Sequence, residues 1–384
     1  MKTVLVLAPN ISPYPGGAEV YISDLMKELI AFGWKVICVT ENPPEYNTSP
    51  IEYLQASANI EKITSSKTVT WREMIFSLLD CMEEIESKKI DIIHANSIEA
   101  SLLGKIISEH CNIPLVATIH EHKPEEKSFG MGRVKLLFER LQLDAIIAPS
   151  SFYYNRALKH NMKASNVYKV VHGIDIDRMS SFTNQSNHVP SGTLKILFVG
   201  RVYSPKGLHI LIEALGKLKF SFHFTLSVVG PLTDVMYKNQ LDNIISFYGM
   251  QDYITFHGPV SSQSVKDFML TSDVMVVPSL EEGFGLSIVE ANMLRLPVIA
   301  SKAGGINDII EHNKNGLLFE VGDVQDLTEK LHCFIENQAD ISTYVENAYI
   351  RAKRDFSSIR MAKETIEVYE HILEGAGKHE RYNH

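Results

Sequence analysis

Short apolar runs alternate with longer stretches in which apolar residues recur every three or four positions along most of the chain. Runs that are apolar on both faces are typical of strands in a covered parallel sheet, and the three-to-four spacing is typical of the helices that cover it. In the first half this alternation predicts strands at residues 4–8, 35–40, 90–94, 115–118 and 145–148, and helices at 18–32, 73–88, 99–110 and 133–142.

The polar segment 182–193 interrupts this alternation, because it contains Pro190, Gly192 and almost no apolar residue. Such a composition predicts a linker between two domains. Beyond the linker the alternation predicts strands at residues 195–199, 224–229, 254–257, 274–277 and 298–300, and helices at 207–218, 235–248, 265–271 and 286–294.

The two alternating halves predict an α/β chain of two Rossmann-like domains, each with a doubly wound parallel sheet, at residues 1–181 and 194–358. The length of 384 residues agrees, because a single domain usually has about 100–200 residues. We expect the domains to face each other across a cleft between the carboxyl ends of their sheets, where doubly wound sheets bind ligands.

The excess of acidic over basic residues disfavours one class of partner, nucleic acids. With 37 basic and 46 acidic residues the net charge is −9, which disfavours general nucleic-acid binding because that activity needs a basic face. No stretch reaches the roughly 18 apolar residues of a membrane span, so we expect a cytoplasmic protein. The cysteines lack C-x-x-C spacing and so indicate neither a zinc site nor a disulfide framework: Cys38, Cys81, Cys111 and Cys333.

The segment PSLEEGFGLSIVEAN at residues 278–292 carries the most informative chemistry. Glycines at 283 and 285 let the backbone approach a ligand, and a helix that begins near Leu286 offers amides and a positive dipole end to an anion. Glu282 would then stand at the rim of the loop and Glu290 about one turn inside the helix, within reach of sugar hydroxyls. An ordinary strand-to-helix turn with two solvated glutamates fits the same spacing.

Two basic residues, Arg201 and Lys206, follow a predicted strand on a loop with Pro205 and Gly207. A guanidinium can hold a diphosphate with two hydrogen bonds, and an ammonium can hold it as a point charge. Because the charge on a departing diphosphate grows, such a pair would stabilise the transition state more than the ground state. The alternative is two solvated surface charges.

Two further motifs lie in the first half. Gly16 and Gly17 separate a strand from a helix and could present amides to an anion or form an ordinary turn. No G-x-G-x-x-G follows this strand, which disfavours a dinucleotide-dependent dehydrogenase. His120 and His122 could be metal ligands on one side of an extended segment, but no third ligand is evident, so a hydrogen-bonded histidine is the alternative.

Taken in chain order, these motifs resemble those of glycosyltransferase family 4, a large family of retaining enzymes with the GT-B fold. Glu282 to Glu290 resembles the EX7E motif of that family. Two positions depart from its usual pattern, where His172 precedes Gly173 and Asn307-Asp308 replaces Pro-Glu. The other matching motifs are Gly16-Gly17, His120, 171–175, Gly200-Arg201, Lys206 and Gly304-Gly305-Ile306.

The resemblance implies a role for each candidate residue. Arg201 and Lys206 would bind the pyrophosphate, Glu290 the ribose and Glu282 the 3- and 4-hydroxyls of the transferred sugar. His120 would orient that sugar near its 6-hydroxyl. The remaining donor contacts would come from the backbone of Gly16, Gly17, Phe284, Gly285 and Leu286.

The implied reaction is transfer of a sugar, with retention, from a nucleotide-sugar donor to a hydroxyl acceptor. The donor expected most often is a UDP-sugar, and the acceptor is a glycan, lipid-linked or small molecule in polysaccharide or glycoconjugate synthesis. We expect no cofactor and no metal, because Arg201 with Lys206 can replace a cation. The rival functions are a GT-B nucleotide-sugar epimerase, a glycan phosphorylase with a pyridoxal phosphate lysine and a non-catalytic sugar-nucleotide-binding protein.

Two segments bear on the surroundings of the site. Residues 123–141 mix basic and apolar residues, which fits either an amphipathic helix in peripheral contact with a membrane or a helix that faces the core. By resemblance to the family, a helix at about 359–375 would return to the first domain. The sequence carries no signal for an oligomeric state.

Overall fold

The computed structural model describes residues 1–8, 11, 16–40, 49–55, 82–120, 136–160, 162–180 and 192–380. Contacts divide the chain into two compact units, Met1–Gly173 with Ser358–His384, and Ile174–Ser357. Each unit has its own parallel sheet and its own hydrophobic core. Both observations agree with the predicted class of doubly wound α/β domains.

In the first unit the described residues form a sheet of seven parallel strands, in the order β3-β2-β1-β4-β5-β6-β7. The order reverses between β1 and β4, and ligands bind beyond the carboxyl ends of strands at such a switch point. The strands are β1 (Thr3–Leu7), β2 (Lys35–Thr40), β3 (Glu52–Gln55), β4 (Ile92–Ala95), β5 (Leu115–Thr118), β6 (Ala145–Ala148) and β7 (Val167–Lys169).

Three helices of the first unit cover its sheet: α1 (Gly17–Ala31), α2 (Ile98–Cys111) and α3 (Ser151–Lys159). In α1 the three-to-four spacing is seen directly, because Tyr21, Leu25 and Leu29 are all fully buried. Helix α2 begins where Ser97 Oγ accepts a hydrogen bond from Ala100 N, which caps the helix. Leu136–Arg140 form a short π-helical turn.

The second unit has a sheet of six parallel strands within the described residues, in the order β10-β9-β8-β11-β12-β13, with its switch point between β8 and β11. Its strands are β8 (Leu194–Val199), β9 (Phe224–Val229), β10 (Ile254–Gly258), β11 (Val274–Val277), β12 (Val298–Ser301) and β13 (Leu317–Phe319). Its helices are α4 (Ile176–Ser180), α5 (Leu208–Leu218), α6 (Val235–Tyr248), α7 (Ser262–Thr271), α8 (Leu286–Met293), α9 (Ile306–Ile309), α10 (Val324–Glu336) and α11 (Gln338–Asp355).

The last helix, α12 (Ser358–Glu380), belongs to the first unit and packs against α1. Its side chains Met361, Thr365 and Tyr369 are fully buried. At its start Ser358 Oγ donates a hydrogen bond to the Glu28 carboxylate at 2.8 Å. The first unit is therefore completed by a helix from the far end of the chain.

Several predicted boundaries differ from the structure. Residues 174–180, which the sequence analysis assigned to the first domain, contact the second unit, because Ile174 N donates to Phe356 O at 2.9 Å and α4 packs on α8. The predicted linker 182–193 lies outside the described residues except for its last two positions, and so does most of the segment 123–141. Of the predicted helix 73–88, only 82–86 is described and helical. None of the described helices is long and apolar enough to span a membrane.

Two glycines of the second unit have nearly the same left-handed backbone but different surroundings. Gly207 has φ of 67° and an added Cβ would lie 1.9 Å from Pro278 O, whereas Gly258 has φ of 70° and open space around it. An L-residue in this conformation costs about 1–2 kcal/mol, and overpacking adds about 1–3 kcal/mol. We therefore expect Gly207→Ala to lower the free energy of unfolding clearly more than Gly258→Ala, as measured by urea denaturation. Equal losses would show that the loop at Gly207 can move away from Pro278.

Candidate functional site

The candidate residues of the second unit follow the two strands at its switch point. Arg201 and Lys206 lie on the loop after β8, and the segment from Glu282 to Leu286 lies on the loop after β11. Since β8 and β11 are parallel neighbours, both loops leave the sheet at its carboxyl edge. The topology therefore brings together two segments that are far apart in sequence.

Close backbone contacts hold these loops together. Leu280 N donates to Pro205 O at 2.8 Å, and the Pro278 carbonyl occupies the space where a Cβ of Gly207 would stand. A third loop, after β12, joins them, because Gly305 N donates to Glu282 O at 3.0 Å and a Cβ at Gly305 would lie 2.2 Å from Gly283 O. Such contacts leave little freedom for the side chains that the loops carry.

Lys206 and Glu282 form an ion pair across the two loops. Lys206 Nζ lies 2.7 Å from Glu282 Oε2, and the side chains are only 15% and 10% exposed. Ser279 Oγ donates to the same carboxylate oxygen at 3.1 Å. An ammonium has three N–H donors, so Lys206 can hold Glu282 and still donate to an anion. The pair thus combines a cation and a hydrogen-bond acceptor in a partly desolvated place.

Helix α8 begins beside this pair. Its N-cap is Gly285, with φ of 107°, and its first residue is Leu286. Phe284 is 4% exposed and packs edge-on against Phe356, with ring centroids 5.8 Å apart. This packing fixes the turn that directs the amides of the helix start toward the carboxyl edge of the sheet, where they favour an anion.

Glu290 and Arg201 are the other two charged candidates of the second unit. Glu290 lies one turn inside α8, near Lys266 of α7. Burial, and then the neighbouring charge of Arg178, lower the pKa of Lys266, while the charge of Glu290 opposes that shift. Arg201 is exposed, and its guanidinium stacks on the Tyr203 ring at 5.1 Å. The structure therefore joins Lys206 with Glu282, and it places Arg201 on the same loop in contact with Tyr203.

In the first unit, Gly16 and Gly17 form the start of α1, beyond the carboxyl end of β1. Gly16 is the N-cap residue and Gly17 is the first helical residue. A Cβ at Gly16 would lie 2.0 Å from a carboxylate oxygen of Glu19, so this side chain covers the glycine. An anion that approached these amides would have to displace the Glu19 carboxylate.

His120 lies just beyond β5 in a cluster of three rings. Its ring centroid is 5.0 Å from that of Tyr21 and 5.2 Å from that of His172, on which it stacks at an interplanar angle of 28°. Tyr153 donates its hydroxyl hydrogen to the His120 carbonyl oxygen at 3.1 Å. Burial, and then the charges of His120 and Arg360, hold the pKa of His172 well below its usual value. His122 lies outside the described residues.

Sequence reasoning missed several polar residues at this edge of the first unit. His94 is fully buried at the penultimate position of β4, and Asn96 follows that strand with 3% exposure. Asn96 Oδ1 has no hydrogen-bond partner among the residues that the structure describes. The available signal was a histidine and an asparagine at the end of the apolar run that forms β4. Over the described ranges, no group of three or more His, Cys, Asp or Glu side chains is arranged to hold a metal ion.

Two sequence families match the chain, one for each half. The model described as Glycosyltransferase Family 4 matches residues 15–178, and that described as Glycosyl transferases group 1 matches residues 180–351. The chain is 25% identical over 386 residues to the D-inositol 3-phosphate glycosyltransferase of Arthrobacter sp. (strain FB24), an alignment that covers 92% of this chain and 90% of that relative. It is 27% identical over 376 residues to the uncharacterized glycosyltransferase MJ1178 of Methanocaldococcus jannaschii, which covers 97% of this chain and 99% of the relative.

Solved structures agree on the fold. The crystal structure of Anabaena Alr3699/HepE in complex with UDP and glucose matches with a TM-score of 0.80 and 22% identity, over 96% of this chain and 100% of that chain. Two parallel-sheet Rossmann-like domains of this kind are the GT-B fold. The chain therefore belongs to the glycosyltransferases of family 4 and group 1, and it is a GT-B glycosyltransferase.

Proposed function

We propose that this enzyme transfers a sugar from a UDP-sugar to a hydroxyl acceptor with retention of the anomeric configuration. The observation that carries the proposal is the Lys206–Glu282 ion pair, held at 2.7 Å beside the start of α8 at the switch point of the second unit. A cation, a carboxylate and helix amides at one place suit a ligand that joins a diphosphate to a polyhydroxyl group.

The diphosphate is the part of the donor that gains charge as the sugar departs. Lys206 and Arg201 stabilise that charge, and the amides of Phe284, Gly285 and Leu286 add the dipole of α8. Because Glu282 already neutralises much of the Lys206 charge, Arg201 supplies the cation that balances the second phosphate. The exposed Arg201 exchanges its Tyr203 stacking for that contact.

The sugar and the ribose are held by hydrogen-bond acceptors. Glu282 accepts from the 3- and 4-hydroxyls of the sugar, and Glu290 accepts from the ribose hydroxyls. His120 bonds to the sugar near its 6-hydroxyl. The backbone at Gly16 and Gly17 contacts the diphosphate, which displaces the Glu19 carboxylate from this place. These assignments follow the resemblance in sequence and agree with the half-buried position of His120.

Retention follows from attack on the face that the phosphate leaves. The bond from the anomeric carbon to the phosphate oxygen breaks, and the bond from that carbon to the acceptor oxygen forms. A phosphate oxygen accepts the proton that the acceptor hydroxyl loses, so the protein needs to supply only positioning and charge stabilisation. No metal is needed, because Lys206 and Arg201 carry the positive charge.

Similar proteins support the donor and the class of acceptor. The Anabaena structure contains UDP and glucose, which supports a UDP-sugar donor. The Arthrobacter relative is named for the transfer of a sugar to a phosphorylated inositol, which supports a polyhydroxyl acceptor. We assign the enzyme to glycoconjugate or polysaccharide synthesis in the cytoplasm, with an acceptor that is a glycan, a lipid-linked sugar or a small polyol.

Lys206→Ala and Glu282→Ala should each fold normally and lower turnover by about a hundredfold or more, because each removes a group that acts on the developing charge or orients the sugar. The measurement is the release of UDP from UDP-glucose, with water and then a mixture of simple glycosides and polyols as acceptors. Lys330→Ala is the matched control, since it removes an ion pair to Asp326 at 3.0 Å in the same unit and should leave turnover unchanged. Wild-type rates in the first two variants would refute the site assignment.

Nucleotide binding should be independent of metal. In a thermal-shift screen of UDP, GDP, ADP, dTDP and CMP in EDTA, we expect UDP to give the largest rise in melting temperature. A ligand at a hundredfold excess over its Kd stabilises the folded state by about 2.7 kcal/mol. A shift that appears only after Mg²⁺ or Mn²⁺ is added would contradict the metal-independent mechanism, and a larger shift with another nucleotide would replace UDP as the donor base.

A further inference from the structure

Four fully buried side chains form a continuous hydrogen-bonded chain through the first unit. Tyr369 Oη of α12 lies 2.5 Å from His94 Nδ1, His94 Nε2 lies 2.7 Å from Thr118 Oγ1, and Thr118 Oγ1 lies 3.4 Å from Tyr21 Oη. All four side chains have no solvent exposure. The chain thus connects α12, at the far end of the sequence, through β4 and β5 to α1.

The imidazole at the centre of this chain is neutral. Burial, and then the charge of His120, lower the pKa of His94 to about 3. A neutral imidazole has one donor and one acceptor nitrogen, and hydroxyl groups can serve either of them. Tyr369 and Thr118 therefore satisfy both nitrogens, whichever tautomer is present. A partner without a hydroxyl would leave a buried nitrogen unpaired, which is costly.

Two neighbouring members of this hydrogen-bonded chain, Thr118 and Tyr21, lie close to His120. Thr118 is the last residue of β5, two positions before His120. The ring of Tyr21, the next member of the chain, lies against the rings of both His120 and His172, with centroids 5.0 Å and 4.2 Å away. These hydrogen bonds therefore hold β5, the strand that leads to His120, and also the Tyr21 ring, which packs on the His120 ring.

We propose that Tyr369, His94 and Thr118 are positioning residues that fix Tyr21, and through it the His120 ring, in the geometry that the transferred sugar requires. The proposal rests on the proposed function, which assigns His120 to the donor sugar. Under this proposal, helix α12 both packs against α1 and, through Tyr369, helps to position the residues that bind the sugar.

The sharpest test compares two substitutions at one position. Thr118→Val keeps the shape of the side chain and removes the hydroxyl, whereas Thr118→Ser keeps the hydroxyl. We expect Thr118→Val to lower kcat with UDP-glucose by about tenfold or more, since small misplacements of catalytic groups are costly. The Kd for UDP, which lacks the sugar, should change by less than about twofold in this variant. Thr118→Ser should recover most of the lost kcat.

A matched control lies in α12 itself. Thr365 is also fully buried, but among the described residues its hydroxyl donates to Met361 O of the same helix, at 2.8 Å. Thr365→Val should therefore keep wild-type kcat, while Tyr369→Phe, which also removes one buried hydroxyl of α12, should lower it. Tyr369→Phe keeps the ring in the core, so it provides a second test if Thr118→Val does not fold.

A measurement without substrate separates this proposal from the proposed function. Nitrogen NMR of the imidazoles should show that Thr118→Val shifts the signals of both His94 and His120. If the wild-type enzyme shows no turnover with any nucleotide sugar, the proposed function fails, and the NMR result still tests the positioning. If Thr118→Val shifts His94 alone and leaves the signals of His120 unchanged, the chain is only structural and the proposal is overturned. Unchanged kcat in a folded Thr118→Val enzyme would overturn it as well.

Discussion

The ion pair between Lys206 and Glu282 is the interaction on which the proposed site depends. Two opposite charges at 15% and 10% exposure have lost much of their hydration, and mutual attraction offsets that loss only when the geometry is good. The hydrogen bonds from Leu280 to Pro205 and from Gly305 to Glu282 supply that geometry, because they join the loops after β8, β11 and β12. These contacts hold the charged groups of the proposed site in fixed positions, and fixed charges favour stabilisation of a transition state.

The two units have similar sheet topologies, but their candidate residues differ in charge. Each places candidate residues beyond the carboxyl ends of strands at a switch point. In the second unit these residues are charged, which suits the diphosphate of the proposed donor. In the first unit His94 and His172 are kept neutral by burial, and the surrounding groups are hydroxyls and rings. Neutral donors and acceptors suit sugar hydroxyls, whose recognition depends on direction more than on charge.

Much of the fold was predictable because the central strands are uniformly apolar. The five residues of β1 and the four of β11 are all buried, and the pattern alone predicts both. The edge strands β3 and β7 were missed, since EYLQ and VYK mix polar and apolar residues on short segments. The assignment of residues 174–180 also differed, because their pairing with Phe356 and Ser357 is a contact between distant parts of the sequence.

Contacts between distant parts of the sequence were also unpredictable at the site. Spacing and resemblance predict Lys206 and Glu282 as candidates, but their direct contact depends on how β8 and β11 pair in the sheet. No local pattern indicates that His94, Thr118 and Tyr369 contact one another, because Tyr369 is 275 residues away from His94 in sequence. Local patterns thus predict which residues can bind a ligand, and tertiary packing decides which residues hold them in place.

Calorimetric titration of UDP into the wild type, Lys206→Ala, Glu282→Gln and the double variant tests the central claim most directly. If the carboxylate of Glu282 partly neutralises a phosphate-binding Lys206, Glu282→Gln strengthens UDP binding, Lys206→Ala weakens it, and the gain from Glu282→Gln disappears in the double variant. The account is contradicted if Lys206→Ala leaves UDP affinity unchanged, or if the effect of Glu282→Gln is the same with and without Lys206.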